Sequence, residues 1–507
     1  MKAFPHPIPL ILSALLFLLA SSSLSAQKVI EYQSGIGSRD PDNSDVWILY
    51  DHVRAQHEGM VLFADSAILN TAQNDFTAFR HIKILLSDTT TIYGDHLFYD
   101  GNTRIVDIWD DTVVFIDGAT TLLTAHISFD RNTNTATYTT WGHTTNRDRI
   151  LTSRSGIYDA TNKVFHIYRK VTLQDSNSRL ETDTLHYNTQ TSVAEFNTPT
   201  HIYSDSTTIY SECGSYNTDT RYAVSTKASH VVTGTKIVDS DTLYYDDIAQ
   251  HGTAYGNLLL RDTANDLTCT GKYGVTDQQQ RYSFVTDSAQ VLFVDKGDSV
   301  FLHADTVLVV NDTAHQIQIV KAHHHVKLFR NDAQAMCDSA YYSVSDSLIQ
   351  LFYDPVVWYE NYQCTADTIF AFHDTVGLHL VLLKSNLMVV EKVDSLRFNQ
   401  IKGRNGAVYF LEGEPTYGDV LGNAQMVYYI TEEDSLHNLS LVGVNAGIGS
   451  DMRLYFKKRQ MHRLVTFGSP DMHTYPVNQL PNELNRLPGF QWLESRRPLK
   501  PQDIFIW

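Results

Sequence analysis

A period of about thirty residues constrains this chain more than any other feature. The segments ADSAILN (64–70), YGDHLFYD (93–100), LTAHISFD (123–130), TSRSGIYD (152–159), ETDTLHYN (181–188), YSECGSYN (210–217) and DSDTLYYD (239–246) align under one another. Their shared pattern is Asp, then Ser or Thr, an apolar residue, any residue, and an aromatic. The last position falls at Leu69, Tyr99, Phe129, Tyr158, Tyr187, Tyr216 and Tyr245, in steps of 30, 30, 29, 29, 29 and 29 residues. A weaker copy lies near Thr276, and the register resumes at Val309, Tyr342, Ala371, Phe398 and Tyr428. A period held over that length marks tandem units, each with an apolar face that only its neighbours can cover.

Within a unit the apolar and aromatic residues lie two apart, as in Asp95, Leu97 and Tyr99, or Asp241, Leu243 and Tyr245. Spacing by two puts them on one face of an extended strand. After the aromatic comes turn chemistry, DGNT (100–103), DRNTN (130–134), DATN (159–162) and NTQT (188–191), where Asp and Asn side chains bond nearby backbone. Short apolar-alternating runs such as TVVFID (112–117) and HVKLFRN (325–331) supply further strands. The spacing predicts an all-β chain with three strands of roughly ten residues per unit. The period fades from about Glu432, and the Pro- and Arg-containing tail from Pro476 to Trp507 predicts a short helix near Phe490 to Ser495. Residues 27–430 are therefore taken as the repeated region and 431–507 as a C-terminal cap or docking segment.

The N-terminus has the form of a secretory signal. Lys2 precedes an apolar run from Ile8 to Ala20, and small residues end near Ala26. That run is shorter than the roughly 20 residues of a spanning helix and suits a segment cleaved after residue 26. The mature chain is then expected to be soluble or attached through partners. Removing residues 1–26 takes away one charged side chain, Lys2, and leaves about −19. Such a balance disfavours nucleic acid and anionic membrane surfaces as partners.

Chemistry-bearing motifs are sparse. GxSxG, HExxH and GxxxxGK[ST] patterns do not occur, so neither a hydrolase elbow, a zincin nor a phosphate loop is indicated. An Asp recurring in most units is expected to serve turns or backbone rather than catalysis or calcium. His323, His324 and His325 alternate across a strand, without Cys or Glu at ligand spacing, and are assigned to a solvated face. Cys213, Cys269, Cys337 and Cys364 form no CxxC pair. Export makes disulfides feasible, isolated thiols are equally compatible, and the pairing stays open. Neither a metal nor a cofactor is expected, and the chain is not read as an enzyme.

The units LFADSAILN (62–70) and IYGDHLFYD (92–100), each succeeded by a turn and a hydrophobic strand, resemble those of the OstA-like, LptA-type lipopolysaccharide-transport proteins. The tracts FNQIKGRNGAVYFLEGE (398–414) and GNAQMVYYITEED (422–434) are similar to the C-terminal parts of the longer members. The resemblance implies an elongated, stacked β-jelly-roll whose two walls fold over an apolar groove. It further implies lipopolysaccharide or a related lipid as ligand, and docking to other transport-bridge components through end strands. On that implication the lipid-lining candidates are Leu97, Tyr99, Leu185, Tyr187, Leu243, Tyr245, Val307, Tyr342, Ile369, Leu396 and Phe398. Two other readings stand beside it: a structural or adhesive stacked-β envelope protein with a filled core, and a β-helix polysaccharide enzyme. The last lacks any place where unique carboxylates break the repeat.

Overall fold

The computed structural model describes residues 29–507, except 296, 315, 375–376 and 434–438. The export signal assigned to residues 1–26 lies outside them. The described residues hold antiparallel strands and three single 3-10 turns, without an α-helix. No helix among them is long and apolar enough to cross a membrane. Residue contacts divide the chain into two units, Met1–Thr140 and Trp141–Trp507.

In the first unit, strands Val46–His57, Met60–Asn70, Asp75–Leu85, Thr90–Asp100, Ile105–Asp117 and Thr120–Asp130 each pair with the next. A thirty-residue period therefore carries two long strands, not the three expected from sequence. The reason is a corner inside the strand that resembles a turn. Along Met60–Asn70 the buried residues are Met60, Leu62 and Ala64, then Ala67 and Leu69. The alternation slips by one residue between Ala64 and Ala67, where the pairing is bulged. On the neighbouring strand the slip falls at Arg80 and His81, which take positive φ of 64° and 47°. A bulge bends its strand, so both halves keep their apolar residues facing inward.

The recurring Asp brackets these corners. Asp95 accepts the backbone N–H of His81 at 2.9 Å, while Asp65, on the other neighbouring strand, holds the His81 ring at 2.7 Å. The second unit repeats the device. Asp183 faces the corner Arg169–Lys170, Asp241 the corner Gly256–Asn257, and Asp367 the corner Ser385–Asn386. His324 and His325 are corner residues of the same kind, paired with Asp338 and Asp305 at 3.2 and 2.9 Å. The hairpin turns agree with the sequence reading: Asp100, Asp159 and Asn188 each accept backbone N–H groups two and three residues on.

The second unit runs through strands such as Val164–Gln174, Ser178–Asn188, His251–Asp262, Leu267–Asp277 and Asp298–Asn311, to Phe398–Leu411 and Leu439–Lys457. Its tail, residues 476–507, carries 3-10 turns at Asn482–Leu484, Glu494–Arg496 and Pro501–Phe505 instead of the short helix expected. The tail lies across the outer face of the sheet. Gln400 donates to Asn485 O at 3.0 Å and accepts from Leu487 N at 2.8 Å; Gln363 does the same with Gln491 O and Leu493 N at 2.8 and 2.7 Å. Leu487, Phe490 and Trp492 pack over Met388, Val390 and Phe398. Strands there are consequently apolar on both faces.

Candidate functional site: an interior that opens along the second unit

The candidate site is the interior between the folded-over halves of the strands. In the first unit, His57 Nδ1 and the Tyr99 hydroxyl are 2.6 Å apart. Their strands stand three places apart along the sheet, about 14 Å at roughly 4.8 Å per strand. Contact across that separation requires the sheet to fold back on itself. Arg131 donates to the same hydroxyl at 2.9 Å and to Glu58 O at 2.9 Å, and Arg104 pairs with the Glu58 carboxylate at 2.7 Å. Polar groups thus close the seam over a core in which Leu97, Ile108, Phe115 and Leu122 have no exposed surface.

In the second unit the repeat aromatics form one cross-strand row. It runs Tyr158, Phe165, Tyr187, Ala194, Tyr216, Ala223 and Tyr245, each facing the next. All are buried, and Tyr158 stacks on Phe165 with centroids 4.4 Å apart. The Tyr245 hydroxyl meets Thr207 across the seam at 3.3 Å. The hydroxyls of Tyr187 and Tyr216 lie near Arg149 and Ser178 without a well-formed hydrogen bond, and burial pushes both phenols above their ordinary range. Arg149, almost fully buried, is held by Asp219 and by Ser192.

Past Tyr245 the row loses its bulk. It continues through Gly252, Thr276, Ser283, Val309, Val320 and Tyr342, then Ile349, Ala371, Val381 and Val408. From Thr276 onward every one of these is half-buried instead of buried. Where the aromatics stop, two apolar recesses of about 540 and 400 Å³, counting space continuous with solvent, share Lys236, Leu260 and Val285. Leu243, Tyr245, Leu258 and Val275 line the first; Cys269, Val307 and Val309 line the second.

The structure sorts the lining candidates into three groups. Leu97, Tyr99, Leu185, Tyr187, Leu243 and Tyr245 face inward and are buried. Val307 and Ile369 are buried in the opening stretch, with Tyr342 half-buried beside them. Leu396 and Phe398 do not belong to the interior. Leu396 is 73% exposed, on a turn in which Asp394 accepts the N–H groups of Leu396 and Arg397. Phe398 is buried on the outer face against Phe490 and Trp492 of the tail. The row reaches Val408 at the place expected for Phe398, a displacement invisible without the pairing. Lys236 is not singled out by sequence reasoning, since an isolated lysine at the start of a strand carries no pattern.

Other chemistry is limited. Among the described residues no group of three His, Cys, Asp or Glu side chains is placed to hold a metal. All four cysteines are free thiols, and burial pushes those of Cys269, Cys337 and Cys364 up to about 12. They are poor nucleophiles at neutral pH.

No curated protein matches the chain. A solved structure, that of LptH from Pseudomonas aeruginosa, described as the LptA-homologous periplasmic component of the conserved lipopolysaccharide transport device, matches at 13% identity. The match covers 28% of this chain and 92% of that one with a TM-score of 0.21, a superposition too poor to carry weight. The model of the OstA-like protein family matches residues 27–183 and 158–241. Over those residues, fewer than half of the chain, it is similar to the OstA-like protein family.

Proposed function

We propose that this chain binds lipid rather than catalysing a reaction, and that it shields the acyl chains of lipopolysaccharide or a related lipid during passage through a Gram-negative periplasm. The observation carrying this reading is the half-buried apolar row from Val309 to Val408. A wall of that kind loses water when an acyl chain lies on it, a gain of about 0.8 kcal/mol per buried CH₂. Affinity can then come from the apolar part of the lipid, as the acidic net charge of the chain requires. Residues 1–26 serve as the export signal in this reading. Terminal strands such as Gln460–Phe467 would join other bridge components by strand addition.

Photocrosslinking in cells tests the proposal. Probes at Val309, Tyr342 and Val381 should capture lipopolysaccharide, while one at the outward His186 should not. Probes at Leu97, Leu185 and Leu243 report whether the closed stretches also open to lipid; weaker capture is expected there. Capture from His186 as strong as from Tyr342 would remove the basis of the reading. The filled aromatic row between Tyr158 and Tyr245 favours a second reading, a structural stacked-β envelope protein. That reading gains if none of the six interior probes captures lipid.

A further inference from the structure

We propose that the far part of the tail, residues 499–507, is an acid-released latch. At neutral pH it is held on the outer face of strands Asp298–Asn311 and Ile317–Phe329 by His303, His325 and Lys327, and a proton on His303 lets it go while residues 485–493 stay in place.

The two parts of the tail are held by different chemistry. Residues 485–493 are gripped by the amides of Gln363 and Gln400 and by Lys402, whose Nζ donates to Pro488 O at 2.7 Å. None of these groups changes its charge between about pH 5 and about pH 8. The far part rests on imidazoles. Its turn Pro501–Phe505 lies on both strands, and Ile504 in that turn has no exposed surface. The Phe505 ring covers His303 with centroids 4.7 Å apart, and the Trp507 ring meets His325 at 4.9 Å. Lys327, which faces His303 in the strand pairing, donates to Arg496 O at 3.1 Å and to Ile506 O.

His303 is almost fully buried, and its Nδ1 donates to Ala289 O at 3.0 Å. A carbonyl only accepts, so Nε2 is the nitrogen left to take a proton. The charged groups around the ring are Asp305 on its own strand, His325 and Lys327 on the next, and Arg496 and Asp503 on the tail beside Lys327. Both carboxylates are engaged: Asp305 with the His325 ring at 2.9 Å, Asp503 with Leu499 N and Lys500 N at 3.0 and 3.2 Å. A proton on His303 therefore sets a second buried positive charge beside Lys327, which is costly. Burial holds His303 below its ordinary value of 6.5, against the Ala289 hydrogen bond and Asp305, and His325 and Lys327 add to the lowering. A histidine lowered in the fold stabilises it fully above its unfolded value and loses that contribution as pH falls below 6.5 toward the folded value. Lifting Phe505 admits water to the ring and relieves the cost. His325 works the other way, since a proton there strengthens its bond to Asp305.

Hydrogen exchange of the full chain, corrected for its intrinsic pH dependence, tests the latch. Between about pH 7.5 and about pH 5.5, exchange in residues 499–507 should rise about fivefold, with residues 485–493 unchanged. His303→Gln keeps a donor for Ala289 O but cannot titrate, and it should flatten the profile. His325→Asn should leave the slope in place. If His303→Gln fails to fold, as judged by circular dichroism, the titration of the His303 ring in the unaltered chain decides. Followed by NMR with labelled histidine, its midpoint should lie below 6.5 and coincide with the rise in exchange. A profile that is flat in the unaltered chain, a slope that survives His303→Gln, or an equal rise in residues 485–493 overturns the proposal. None of these outcomes bears on lipid binding.

Discussion

Two stretches of the second unit, built from the same repeat, divide their apolar contacts differently between the two faces. Between Tyr158 and Tyr245 the interior is filled with aromatic rings, and the outer face is polar. There Arg179 pairs with Glu181 in solvent, and Tyr203 is 39% exposed. Between Thr276 and Val408 the interior row is half-open, and the outer face is covered by the tail. At positions equivalent to Arg179, Glu181 and Tyr203 stand Gln334, Met336 and Trp358, all buried. The tail thus adds apolar contact on the outside where the interior row gives some up, while Val307, Ile369 and Leu383 stay buried beside that row. The family match ends at residue 241, so it takes in nearly all of the filled stretch and stops short of the half-buried one.

The largest effect should come from cutting into the filled interior. Phe165 has no exposed surface and touches Tyr158, so Phe165→Ala should cost about 3–5 kcal/mol. Val309→Ala, at a half-buried place in the same row, should cost less than about 1.5 kcal/mol. Denaturant unfolding of the two variants measures the contrast. Equal losses would show that the interior is packed alike throughout.

The tail comes next. Gln400→Ala removes both partners of the tail backbone at Asn485 and Leu487, leaving a buried N–H and C=O unmet, at about 1–3 kcal/mol. Hydrogen exchange at Leu487 should accelerate by at least tenfold, with exchange at Tyr187 unchanged. Acceleration in both places would mean that the tail is coupled to the filled stretch as well.

How much of this is legible in the sequence depends on which contacts are local. Spacing by two and Asx turns act within a few residues, so the all-β class and the inward set from Leu97 to Tyr245 can be read directly. The strand count cannot, because Arg80 and His81 interrupt alternation as a turn would, and only the neighbouring Asp95 and Asp65 reveal a bent strand. Leu396 and Phe398 are misplaced by sequence for a non-local reason. The residues around them keep an Asp–Ser–apolar–x–aromatic string, but the surface it serves is decided by a tail some ninety residues further on. The weak copy near Thr276 is visible as a lapse in the pattern. Its meaning, a missing plug, needs Gly252 opposite it.

Corner brackets are common to both stretches and should therefore respond alike. Asp183→Ala and Asp367→Ala each remove a carboxylate that holds a neighbouring corner, Lys170 N in one case and the Asn386 amide in the other. Both corners are exposed, so a loss of roughly 1 kcal/mol is expected for each. Thermal unfolding of the two variants checks the match, and a difference well above that size would mean the corners are not equivalent after all.

The smallest effect is a pH dependence that distinguishes corners carrying histidine from those carrying lysine. His81 is raised above its ordinary value, first by its hydrogen bond to Asp65 and then by the charge of that carboxylate. A histidine whose folded value is raised stabilises the fold fully below its unfolded value of 6.5 and loses that contribution as pH rises through the folded value. Between about pH 6 and about pH 8 the corner at Arg80–His81 should therefore loosen slightly. The corner at Arg169–Lys170, which carries no histidine, should not. Amide exchange at His81, corrected for the intrinsic pH dependence, reports the loosening directly. His81→Asn should flatten the profile, and a slope that persists in that variant would locate its source elsewhere, leaving the two kinds of corner alike in everything but their charge.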